Sequence, residues 1–233
     1  MPNSKKIEFA MESPVFNKLG LMKNVVPEWF KKAEKFMGGK LDIDPPTLTV
    51  KNCMPFLDTY LSGYYIPTPI DLLVLEENGE VVIKWRHGVS PGNDQFIGVR
   101  DGSMTPGMSV PHGYHDKHFT WMTKHVIKSP EGYSLLFTQP LNRLDLPTYT
   151  LSGIVDADYI LNGGNLPFFV KKGFTGVIPA GTPVVQIIPI KREKWELIEN
   201  NNLLKVGQEN SQLSRKHIIG FYKNKFWHKK EYN

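Results

Sequence analysis

The chain has 233 residues, 40% hydrophobic and 12% aromatic, enough to bury a sizeable core and too apolar for wholesale disorder. Its one cysteine, Cys53, excludes an internal disulfide framework, and no apolar run reaches the roughly 20 residues of a membrane helix. The net charge of +5 sits near the C-terminus: residues 215 to 230 carry six cations and no acid, leaving −1 for the rest.

The opening MPNSKKIEFAMES lacks the continuous apolar stretch of a signal peptide or anchor, so a soluble, cytoplasmic protein is expected. Within it KKIEFAM reads as a short strand. VVPEWFKKAEKFMGG reads as a short amphipathic helix, opened by a proline and stopped by a glycine pair. Trp29, Phe30, Ala33 and Phe36 would share one side of it. The prolines of DIDPPTLTV predict an extended linker, and KNCMPFLDTYLSG a further helical turn or two ended by Gly63. Cys53 has no histidine nearby in sequence and is expected as a buried structural thiol.

From Gly63 onward strand signals dominate. YYIPTPIDLLVLEE and EVVIKWRH flank Asn78-Gly79, a strong hairpin signal. Residues 88 to 118, rich in Gly, Pro, Asp and His, predict a long loop with at most one strand around QFIGVR. FTWMTKHVIK and GYSLLFTQ follow, split by Ser129-Pro130-Glu131-Gly132. Then come LSGIVDADYI, NLPFFVKK, FTGVIPAG and TPVVQIIPIKR, each broken by glycine or proline. Many short strands separated by turn residues predict a mainly β sandwich or barrel. After Arg192 a helical or irregular arm leads to a basic aromatic tail. Three segments are therefore expected: an N-terminal extension of short helices over 1–62, a β core over 63–192 and a C-terminal arm over 193–233.

Three constellations carry possible chemistry. In PHGYHDKHFTW, His112, His115 and His118 lie three apart with Asp116 among them, the ligand types of zinc and non-haem iron sites. The same residues in a loop read equally as exposed polar side chains. In the tail GFYKNKFWHKK, Lys223, Lys225, Trp227 and Lys229 alternate charge with aromatic surface, a pattern that binds nucleic acid. The alternative is aromatic docking onto a neighbouring subunit with the lysines left in water. The third lies between 135 and 190, where Gly153-Ile154-Val155-Asp156-Ala157-Asp158-Tyr159 precedes Gly181-Thr182-Pro183-Val184-Val185-Gln186-Ile187-Ile188. Upstream of it stand Leu141 and Arg143.

On those residues the chain resembles the dUTPase and dCTP deaminase superfamily, over about 55 residues, with Asp71-Leu72 as a further short match. The resemblance implies a β-clip fold, a distorted barrel or sandwich with short helical extensions at both termini. It also implies a trimer with a nucleotide pocket between subunits. Asp156 would activate water, Tyr159 would stack on a deoxyribose, Gln186 would reach a phosphate, Arg143 would join the nucleotide site, and Mg2+ would assist. A fainter similarity links most of the chain to an uncharacterised family of phage and bacterial proteins, which would place it in a host cytoplasm.

The chain departs from the superfamily pattern at the phosphates. Thr138, Gln139 and Pro140 stand where the superfamily has its phosphate-cradling serines, and Pro140 lacks even a backbone N–H. The glycine-rich C-terminal loop is missing, and NLPFFVKK supplies no deaminase glutamate. The reading that follows is a non-catalytic or diverged β-clip module for binding or assembly. The alternative is a magnesium-dependent deoxynucleoside triphosphate pyrophosphatase.

Overall fold

The computed structural model of the protein describes residues 5–39, 47–86, 95–100, 102–161, 164–216 and 220–233. Part of the proline-bearing linker and the start of the expected long loop lie outside them. The chain is 35% strand and 21% helix, and it divides into two compact units. One comprises Met1–Asn24 with Gly63–Arg192; the other comprises Val25–Ser62 with Glu193–Asn233. The segment expected as one extension, 1–62, is thus shared between the two.

The first unit holds all the strands. β1 (Glu8–Met11) and β2 (Gly20–Leu21) open it. In the second unit, α1 (Glu28–Lys32) and α2 (Met54–Leu61) follow. β3 (Tyr64–Pro67), β4 (Leu72–Glu77), β5 (Glu80–Lys84) and β6 (Ile97–Arg100) come next. β4 and β5 form the hairpin the sequence predicts, with Asn78 at φ 53° and Gly79 at φ 79°, the paired left-handed conformation of a tight hairpin turn.

β7 (Tyr114–Met122) begins inside the expected loop, so residues 114–118 are strand. Lys124, at φ 53°, separates it from β8 (His125–Lys128), so FTWMTKHVIK is two strands rather than one. β9 (Tyr133–Thr138), β10 (Thr148–Thr150) and β11 (Gly153–Val155) precede β12 (Asn165–Lys171), β13 (Gly176–Ile178) and β14 (Pro183–Lys191). The second unit closes the chain with α3 (Asn202–Lys216) and α4 (Phe221–Lys225).

Every named pairing is antiparallel, and among the described residues no closed barrel forms. The largest sheet runs β11-β9-β14-β3-β2, a second runs β10-β12-β7-β6, and a third runs β13-β4-β5. β1 pairs with β8. Inward positions of these sheets, among them Leu72, Val74, Phe119, Leu135, Phe168 and Val185, share one apolar core. Trp121 stacks on Phe168 with ring centroids 3.7 Å apart, and its indole N–H donates to Thr150 Oγ1 at 3.0 Å. The threonine passes its own hydroxyl proton to the Val184 carbonyl at 2.7 Å, so this buried polar group is satisfied.

In the second unit, Trp29, Phe30, Phe56 and Tyr60 form an aromatic cluster. Lys51 caps α1 by donating to the carbonyls of Phe30 and Lys31 at 2.6 and 3.0 Å. α1 has five residues, shorter than the sequence suggests, and buries Phe30 while Trp29 stays 47% exposed. Cys53 is exposed, not buried. It precedes α2 as its cap residue, and the next residue, Met54, takes the buried position.

Candidate functional site: the Asp156 turn and Arg192

β9 pairs with β11 on one edge and with β14 on the other, so three strand ends converge at one place. Val155 stands opposite Leu135 and Ile190 opposite Ser134. The chain leaves β11 at Asp156 and turns at once: the amides of Tyr159 and Ile160 donate to the Asp156 carbonyl at 3.0 and 3.1 Å. Ala157 tucks into the core, and its carbonyl accepts the Ser129 amide at 3.2 Å. Arg192 leaves β14 beside this turn, anchored by its own amide to the Gly132 carbonyl at 2.8 Å.

This convergence sets the polar contacts. Ser134 Oγ donates to Asp156 Oδ1 at 2.6 Å, and Arg192 Nη1 reaches the same oxygen at 3.3 Å. Arg192 holds Asp158 more tightly: Nη1 donates to Oδ1 at 2.9 Å, and Nη2 donates to Oδ2. The Gly132 amide adds a third hydrogen bond to this carboxylate, to Oδ2 at 3.0 Å. Only 5% of the Asp158 side chain is exposed. The hydrogen bonds from Arg192 outweigh burial and hold its carboxyl down to about 2. In return, the hydrogen bonds to Asp158 hold the Arg192 guanidinium above its ordinary value.

Tyr159 does not pack under the turn. It is 76% exposed, and the Arg192 guanidinium lies over its ring at 5.3 Å. Beside it an open depression of about 490 Å³ is bordered by Lys6, Glu8, Lys128, Glu131, Asp158 and Tyr159. Asp156 Oδ2 accepts no hydrogen bond from the described residues, and its side chain is 56% exposed. A magnesium ion would find that one open carboxylate oxygen here, since both oxygens of Asp158 are taken by Arg192. One such oxygen suits an ion bound mainly through water and substrate phosphate.

The other residues that the sequence suggests for a nucleotide site lie elsewhere. Gln186 stands opposite Thr138, four residues along β9 from Ser134, or about 13 Å at the usual strand rise. It is fully buried, and its Oε1 accepts the Leu141 amide at 2.8 Å. Gln139 likewise accepts the Thr150 amide at 2.8 Å, so two glutamines fix the backbone around Pro140. Arg143 clasps Asp145 through Nε and Nη2, each at 2.8 Å, and holds that carboxyl below its ordinary value.

The three histidines are not gathered. His112 precedes β7, and the register of β7 on β12 slips between Tyr114 and His118, so no regular alternation relates His115 to His118. His118 is buried against Phe169, whereas His112 and His115 border an open depression with Asp116 and Lys172. Among the described residues no group of three or more His, Cys, Asp or Glu is placed to hold a metal ion.

In the tail, Trp227 donates its indole N–H to both oxygens of Asp58 at 3.1 and 3.0 Å, and Lys230 reaches the same carboxylate at 2.7 Å. Lys229 lies 3.8 Å from Glu231, and Lys223 and Lys225 are exposed on α4. The tail therefore docks on α2 of its own chain through Trp227.

Arg192 and Ser134 carry no local sign of their roles in the sequence. Arg192 is 34 residues from Asp158, and only the pairing of β9 between β11 and β14 brings them together. No helix of the described residues is long and apolar enough to cross a membrane. No family model matches the chain, and no curated protein matches it at a significant level.

Proposed function

We propose that the protein is a non-catalytic binding and assembly module of β-clip type that works as a homo-oligomer of three copies. The observation that carries this reading is the apolar free edge beside Asp156. β11 ends its sheet, and Ile154 on it is 66% exposed. In the turn that follows, Tyr159, Ile160 and Leu161 are 76%, 60% and 53% exposed. An open strand edge flanked by large apolar side chains is a surface for another chain. The engagement of Arg143 by Asp145, Gln186 by Leu141 and Arg192 by Asp158 supports the non-catalytic part. Each of these three groups already serves the chain's own structure.

One observation favours the second reading, a magnesium-dependent deoxynucleoside triphosphate pyrophosphatase. Asp156 has one oxygen fixed by Ser134 and the other open, the arrangement that orients a water. Two measurements on the full chain separate the readings. Light scattering after size exclusion should give a multiple of the 26.6 kDa chain mass, reduced by Ile154→Asp with Ile160→Asp. A monomer at every concentration would overturn the assembly reading. Pyrophosphate release from deoxynucleoside triphosphates with magnesium should be absent. Turnover that disappears in Asp156→Asn would establish the hydrolase in its place.

A further inference from the structure

Among the described residues no face of α3 is buried, and Asn210, Ser211 and Ser214 border an open depression with Phe221, Tyr222 and Phe226 of α4. Every described side chain from Glu193 through Ser214 is exposed. An isolated 15-residue helix is marginal in water, and Gly207 at its middle costs about 1 kcal/mol relative to alanine. Three of its four large apolar side chains nonetheless share a face. Leu203, Val206 and Leu213, with the polar Asn210 before the last, follow the alternating three- and four-residue spacing of the inward positions of a coiled coil, and Leu204 lies off that line. They are core residues of a seam, yet Leu203 is 62%, Val206 51% and Leu213 45% exposed. Leading into the helix, Trp195, Leu197 and Ile198 are 85%, 101% and 69% exposed. Together these apolar groups offer on the order of the 800 Å² that one partner brings to a standard interface.

We infer that α3 pairs, parallel and in register, with the α3 helices of other copies of this chain, as a short three-stranded coiled coil. Three features select that occupant. Asn210 sits at the first inward position of its heptad, where an in-register parallel partner presents an identical Asn210 and the amides satisfy one another. In an antiparallel pairing Val206 would face it and leave the amide unpartnered. Glu209 flanks the seam: a parallel partner opposes it with Ser214, an antiparallel one with a second Glu209. The positions on the opposite flank of the seam are Gly207 and Ser214, small enough to let helices approach. Leucine at the first inward position with β-branched Val206 at the second shifts the preference from two strands toward three.

The inference rests on the assembly reading for the presence of several copies, and it adds the segment that joins them. Light scattering on the full chain should give three times the 26.6 kDa chain mass for wild type. Val206→Asp with Leu213→Asp should weaken association at least tenfold, with unchanged circular dichroism in the β region. Separately, Asn210→Cys in a Cys53→Ser background should form an intermolecular disulfide on mild oxidation. Gln208→Cys, on the outer face, should not. An oligomer whose dissociation is unchanged by the double aspartate variant, or which cross-links equally at both positions, overturns the inference and leaves the assembly reading standing. A wild-type monomer overturns both.

Discussion

The backbone amide of Leu141, in a half-buried turn, donates to Oε1 of the fully buried Gln186 across 45 residues of sequence, at 2.8 Å. This bond ties the turn around Pro140 to the central strand β14 and gives Gln186 a structural task. A buried amide left without its acceptor costs about 1–3 kcal/mol. Gln186→Leu, which keeps the volume and removes the acceptor, should therefore lower the unfolding free energy by about that amount. Asp156→Asn retains an acceptor for Ser134 on an exposed side chain and should stay within about 0.5 kcal/mol of wild type. Urea unfolding of the three proteins checks both. Equal stability of Gln186→Leu and wild type would show that the glutamine is not needed for the fold.

The Arg192–Asp158 pair makes stability sensitive to acid in a narrow interval. Asp158 has a folded value of about 2 against an ordinary 3.8, so between these values the unfolded chain binds more protons than the folded one. The stabilisation is fully present above the upper value and is lost as pH falls toward the lower one. Asp158→Asn should be less stable than wild type at neutral pH, with the difference shrinking across that interval. Unfolding midpoints measured in urea over those pH values test this. A difference that stays constant down to pH 2 would show that ionised Asp158 is not what Arg192 stabilises.

How much of this was legible depends on distance along the chain. The Asn78-Gly79 hairpin was readable because two adjacent residues tolerate the left-handed backbone it needs. The Gly153-to-Tyr159 stretch was readable as a strand running into a turn because both are local. The partners that define the site were not. Arg192 and Ser134 reach Asp156 only through the order β11-β9-β14, which no short motif encodes. The histidines were hard to place for a related reason: whether His112, His115 and His118 meet depends on where β7 begins and on its slipped register with β12, neither of which their spacing encodes. α3 was only half readable, because a helix with no buried face gives weak periodic contrast beside its polar neighbours. The tail aromatics suggest docking on a neighbouring subunit, whereas Trp227 bonds within its own chain to Asp58, 169 residues away.

Gly63 provides the sharpest test of how closely the start of β3 approaches β14. It ends the α2 segment and begins the β unit at φ 77°, a backbone that side chains with a Cβ rarely adopt. An added Cβ would also fall inside the van der Waals envelope of the Ile187 carbonyl oxygen, which is backbone and cannot swing aside. Two penalties therefore combine, and Gly63→Ala should lose about 2 kcal/mol or more. Gly79 has nearly the same φ, 79°, but nothing within 4 Å of the added atom. Gly79→Ala should show the conformational penalty alone, about 1 kcal/mol. Thermal and urea unfolding of the two variants measure the difference. Equal losses would mean that the chain yields at Ile187, and that β14 is less firmly fixed against β3 than its register with Ile66, Tyr65 and Tyr64 implies.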